Sequence, residues 1–190
     1  MRPMALIGFI LSMSVFGLFS CLKDSCENNF CDNNGVCVSG TCDCPEAYTG
    51  AHCQEQVTPI KMRVNAVTMT RFPSTNEGMS WDEGDGPDIF FKMSEEILPL
   101  AQPEYLIENA DPLTSYTFFI HPFDLRFVTA PYKMEMFDYD GPISDPQKMG
   151  ELYFTPYTSM NGFPEVLVLD NGGNIAFRVE VQYYYPKAID

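Results

Sequence analysis

The stretch CENNFCDNNGVCVSGTCDCPEAYTGAHC, residues 26–53, decides how this chain is built. Six of the seven cysteines lie in it, at positions 26, 31, 37, 42, 44 and 53, and almost none of its residues are aliphatic. So little apolar surface cannot form a core, and cross-links must take its place. Disulfides persist only in an oxidising compartment, so the chain is expected to be exported. The spacing alone leaves fifteen ways of pairing six cysteines. A zinc site is the competing reading of a dense cysteine cluster. Exported thiols oxidise, however, and His52 is the one histidine nearby, so disulfides are preferred.

Upstream, Arg2 is followed by an uncharged run, MALIGFILSMSVFGLF, from Met4 to Phe19. That run is shorter than the roughly 18 apolar residues a spanning helix needs, and it reads as an export signal over residues 1–20. Ordinary cleavage before Cys21 would put the bulky Leu18 where a small residue is expected. Leu18-Phe19-Ser20-Cys21 instead resembles a bacterial lipobox, which implies a lipidated Cys21 as the new N-terminus and accounts for the odd cysteine. The alternative is a free or intermolecularly paired thiol behind a plain signal. Residues 21–25 then form a short tether, and Leu22-Lys23-Asp24 resembles the surface-export signals of Bacteroidetes-type lipoproteins.

Downstream of a linker at residues 54–59 the cysteines stop and short alternating runs begin. They lie at 60–69, 88–93, 115–121, 132–137, 151–155, 165–169 and 174–185, each aromatic or β-branched and close to period two. Another strand is expected near 104–108. Asn171-Gly172-Gly173 between the last two runs is a hairpin turn signal, because these residues tolerate positive φ. No stretch carries a convincing helical stripe. The chain is therefore expected to be all-β, with an antiparallel β-sandwich over residues 60–186.

Charge narrows the partners. Twenty-six acids against 11 Lys and Arg give a net charge of -15, which opposes a phosphate backbone and excludes nucleic acid as a ligand. Within the sandwich the acids gather in two places, WDEGDGPD from Trp81 to Asp88 and DYDGPISD from Asp138 to Asp145. Such loops repel themselves unless a cation neutralises them, and hard divalent ions prefer several carboxylate oxygens; calcium is the natural candidate. Solvated turns are the plainer reading, since Asp and Gly suit any turn. His121 is read as a strand-end residue, Asp124 with Arg126 as a surface pair, and Tyr183 to Tyr185 as a terminal strand.

Two resemblances sharpen these expectations. Residues 26–53, with the Cys42-Asp43-Cys44 gap and the Tyr48-Thr49-Gly50 turn, resemble an EGF-like domain, which implies the pairs Cys26–Cys37, Cys31–Cys42 and Cys44–Cys53. Lys23-Asp24-Ser25 lacks the acid or amide that calcium-binding members carry next to the first cysteine, so no calcium is expected there. The step Asp88-Ile89-Phe90-Phe91-Lys92, with Asp82 six residues earlier, resembles the first calcium loop of a C2 domain, and Asp138-Tyr139-Asp140 its third. That resemblance implies a C2-like sandwich with Asp82, Asp88, Asp138 and Asp140 as calcium ligands. The family's fifth acid falls on Gln147 here, and Asp145 is the acid left to serve instead.

Nucleophile elbow and phosphate-loop motifs are absent, and two histidines leave little for acid–base work. The expected function is a noncatalytic, lipid-anchored protein of the outer membrane or cell surface. It would bind an extracellular protein, a carbohydrate or a surface. The alternative is a small extracellular hydrolase, or an accessory subunit of one, using Asp82 and Asp138. Mass spectrometry of the membrane fraction is expected to find an acylated Cys21 at the mature N-terminus; a mature chain without acyl groups, or one beginning elsewhere, contradicts the anchor.

Overall fold

The computed structural model describes residues 25–170 and 172–186; Cys21 and the expected signal lie outside them, as does Asn171 of the expected hairpin turn. The chain is all-β, a three-disulfide module followed by an antiparallel sandwich. In the module, β1 (Val36–Val38) and β2 (Thr41–Asp43) form a hairpin. Its two-residue turn puts Ser39 and Gly40 at φ 52° and 88°, the pair of positive values that matches the twist of the flanking strands. A second small pair joins β3 (Tyr48–Thr49) to β4 (Glu55–Gln56), so the segment expected as a linker carries a strand. The bridges are Cys26–Cys37, Cys31–Cys42 and Cys44–Cys53, with Cα separations of 5.8, 5.6 and 5.4 Å. Among them Cys53 is fully buried, and a Cβ on Gly35 would lie 2.5 Å from its sulfur. Only glycine lets the backbone pass that close.

The sandwich packs two sheets. One takes the order β11 (Gln147–Phe154), β10 (Tyr132–Asp138), β6 (Ile89–Glu95), β7 (Leu98–Ala101). The other takes the order β12 (Val166–Asp170), β13 (Ala176–Tyr184), β5 (Lys61–Arg71), β8 (Tyr116–Phe118), with β9 (Phe123–Leu125) also pairing β5. Alternation sends Ile89, Phe91 and Met93 of β6 inward, where Phe91 meets Phe118 and Phe177 of the facing sheet at ring distances of 5.1 and 6.3 Å. On β5 the inward set is Met62 and Val64, then Val67 and Met69. The register shift opposite Glu180 and Val181 leaves Asn65 as the extra residue, and this bulge re-phases the strand so that Val67 rather than Ala66 enters the core.

Three differences from the sequence reading have physical causes. Residues 104–108 are not a strand; Ile107 makes only an isolated bridge to Ile89. β7 and β9 were not expected, because Pro99 interrupts the first, which is an exposed edge, and Pro122 immediately precedes the short second. β11 begins at Gln147 instead of 151, since Gly150 reads as a turn residue but sits mid-strand, where a Cβ would press to 2.9 Å from Ile175.

Candidate metal centre

The centre starts from the alternation of β10. Tyr132, Met134 and Met136 face the core, and the next inward position is Asp138, which is 0% exposed. A carboxylate therefore occupies a place the strand reserves for an apolar side chain. Its Oδ1 accepts from the Asp88 backbone N–H at 2.9 Å, whereas its Oδ2 is buried with no hydrogen-bond partner.

Three loops gather at this end of the sandwich. In the loop before β6, Trp81 is buried and its indole Nε1 donates to the Pro73 carbonyl at 2.8 Å, which anchors the neighbouring Asp82. In the loop after β10, Asp140 Oδ2 accepts from Gln147 Nε2 at 2.9 Å, and Gln147 Oε1 accepts from Asn76 Nδ2 at 3.0 Å. This chain of amides ties the two loops together. The third loop, between β7 and β8, closes on the first: the Ala110 N–H donates to the Pro87 carbonyl at 2.8 Å, and a Cβ on Gly86 would stand 2.6 Å from the Ala110 carbonyl oxygen.

The result is that Asp82, Asp138 and Asp140 each bring an oxygen within 4.8 Å of the others. Asp82 and Asp140 line a cleft of about 420 Å³ together with Asp88, but Asp88 Oδ1 accepts from the Asn109 N–H at 2.9 Å and Asp88 stands outside that triad. Asp145 is exposed and belongs neither to the triad nor to the cleft wall. Gln147 takes up the contact to Asp140 from within β11, while Asp145 precedes that strand. Sequence reasoning missed Asp85, Glu108 and Asn109 in the cleft wall. Asp85 lay in view within the acidic run; Glu108 and Asn109 were hidden by reading 104–108 as a strand, although Glu108-Asn109-Ala110-Asp111 has the composition of a polar turn. Elsewhere, Asp124 pairs with Lys61 at 2.7 Å and Arg63 at 2.8 Å rather than with Arg126, and His121 with Glu104. The two cations hold the Asp124 carboxyl down at about 2, through hydrogen bonds first.

Electrostatics follow from burial and crowding. Burial pushes the Asp138 carboxyl up to about 6, with the charges of Asp82 and Asp140 adding to it and the Asp88 backbone N–H opposing it. Asp82 is raised too, by burial first and then by Asp140, Asp88 and Asp85. Three converging carboxylate oxygens, one from a side chain excluded from water and short of a partner, fit a hard divalent cation such as calcium.

A folded-state value of about 6 against the ordinary 3.8 means the folded chain binds the proton more tightly than the unfolded one. Stability from that proton is present below pH 4 and is lost as pH rises through 6, by about 3 kcal/mol in all. Melting temperature in chelator should therefore fall between pH 4.5 and pH 7, a window above the titration of Asp124, and Asp138→Asn should flatten the fall. A wild-type profile as flat as the variant's contradicts the assignment.

Comparison with known proteins identifies the N-terminal module. Residues 23–53 match the family profile of the EGF-like domain. Lactadherin from Mus musculus is 41% identical over 56 residues, a match covering 27% of this chain and 12% of lactadherin. The EGF-like repeat and discoidin I-like domain-containing protein 3 from Mus musculus is 36% identical over 58 residues, covering 27% of this chain and 11% of that protein. The chain thus spans about an eighth of the curated relatives it matches. Among solved structures, a C2 domain has a TM-score of 0.47 at 10% identity, covering 65% of this chain and 97% of that one. A C2 domain of plant Extended Synaptotagmin 1 has a TM-score of 0.42 at 17% identity, covering 69% and 99%. The chain carries an EGF-like domain at residues 23–53 ahead of an antiparallel β-sandwich.

Proposed function

We propose that this chain is a noncatalytic exported binding protein whose sandwich holds a calcium ion between Asp82, Asp138 and Asp140. The lipid on Cys21 would anchor it at the outer membrane or cell surface, and the partner would be an extracellular protein, a carbohydrate or a surface ligand. Export is supported by three disulfides in the EGF-like domain. The observation that carries the cation is the buried Asp138, whose Oδ2 has no hydrogen-bond partner and whose carboxylate lies within 4.8 Å of an oxygen from each of two further carboxylates. Leaving a buried polar atom unpaired costs about 1–3 kcal/mol, and more for a charged one, unless something else coordinates it. Bound calcium would supply charge neutralisation there, and its remaining positions are where an oxygen ligand of a partner would attach.

The hydrolase reading asks Asp82 and Asp138 to act as an acid–base pair on a glycosidic bond. A carboxyl that is 0% exposed offers no surface to a glycosidic oxygen, which favours the cation.

An extracellular-type site has a dissociation constant of about 0.1–1 mM, so calcium should raise the melting temperature as it reaches the millimolar range. Magnesium should do less, because it holds its waters and demands octahedral geometry. Asp138→Asn should melt higher than the wild type in chelator at pH 7 and gain nothing from calcium. Equal wild-type melting temperatures in calcium and in chelator overturn the reading.

A further inference from the structure

Far from the acidic cleft, the EGF-like domain meets the sandwich through a set of rings centred on Phe163. From the module, Tyr48 stands edge-on to Phe163 at 5.8 Å. From the sandwich, Tyr157 stacks on it at 5.4 Å with the planes 6° apart, and Tyr183 and Tyr185 approach edge-on at 5.6 and 5.3 Å. Edge-on and stacked rings at these distances attract beyond their area of contact.

Polar contacts close the same joint. Tyr157 Oη donates to Gln56 Oε1 at 3.3 Å, across from sandwich to module. Tyr183 Oη and Asn161 Nδ2 both donate to the Pro156 carbonyl, at 3.0 and 3.2 Å, and so brace the loop that carries Phe163. At the chain crossing, the Val57 N–H donates to the Ala47 carbonyl at 2.9 Å and the Ile60 N–H to the Tyr184 carbonyl at 2.8 Å. Few backbone torsions between the units are left unsecured. Phe163 itself has φ 55°, a left-handed conformation that a bulky residue keeps only where its surroundings hold it.

We propose that the EGF-like domain and the sandwich form one rigid body, pinned by Phe163, with the acidic cleft fixed at the end opposite the module. β5 runs from the joint at Lys61 to the cleft end at Arg71, and ten steps at about 3.3 Å put those ends roughly 33 Å apart. The joint stands on its own. Its consequence, that a ligand in the cleft is held away from whatever the module stands on, rests on reading the cleft as a binding site.

Backbone ¹⁵N relaxation of the exported chain, recorded in chelator so that cation binding plays no part, tests the joint directly. One ratio of transverse to longitudinal relaxation rates should describe the amides of residues 26–56 and of the sandwich alike. In Phe163→Ala the module should lose that shared ratio and fall below the sandwich. Tyr48→Ala removes the module's ring without touching the sandwich and should do the same, which keeps the test decisive if Phe163→Ala folds poorly. A module that already tumbles faster in the wild type overturns the proposal, and so does a shared ratio that survives in Tyr48→Ala.

Discussion

Everything distinctive about the sandwich follows from one register position. β10 alternates Tyr132, Met134 and Met136 into the core, and the same alternation carries Asp138 inward with them. A strand cannot turn a single side chain outward without a bulge or a slip, and a slip would expel the three apolar residues as well. The core thus holds the carboxylate in place, and the carboxylate organises the loops around it. One oxygen is occupied by the Asp88 N–H, which fixes the start of β6, and the other is left without a hydrogen bond in a carboxyl group that Asp82 and Asp140 approach.

The loops show how such a site is kept from springing open. Like charges at short range repel strongly where water is scarce. Here the opposing forces are neutral: the Trp81 indole on Pro73, the Asn76–Gln147–Asp140 amide chain, and the tight passage of Gly86 beside Ala110. Cations are placed elsewhere, with Lys61 and Arg63 on Asp124 and with Lys133 and Lys148 on Glu135. Among the described residues no Lys or Arg ion pair reaches Asp82, Asp138 or Asp140. Among the described residues, then, no cation of the chain balances the negative charge of the cleft.

Much of the architecture was legible in the sequence, and the reasons differ between its halves. Cysteine density announces the module because so apolar-poor a segment needs cross-links in place of a core. Period-two runs announce β5, β6, β10, β12 and β13, since a half-buried strand must alternate. The strands that escaped were those whose burial or backbone broke the rule: β7 at an exposed edge with Pro99, β9 of three residues, and the Gly150 half of β11. Within the site, Asp82, Asp138 and Asp140 came into view as acids in glycine-rich loops. What no local pattern encodes is direction. Asp88 turns its carboxylate to Asn109, Asp145 stays in solvent, and Glu108 arrives from a loop far along the chain. The joint was illegible for the same reason, because Tyr48, Phe163 and Tyr185 meet only once both units have folded.

A bound cation would complete the coordination that Asp138 Oδ2 lacks. A crystal structure of the protein grown with millimolar calcium, with anomalous data to identify the ion, tests it most directly. One calcium is expected, bonded to Asp138 Oδ2 at about 2.3–2.6 Å, with oxygens of Asp82 and Asp140 also in its shell. A structure in which Asp138 Oδ2 faces a water molecule or stays unpaired, with no ion among the three carboxylates, would contradict it.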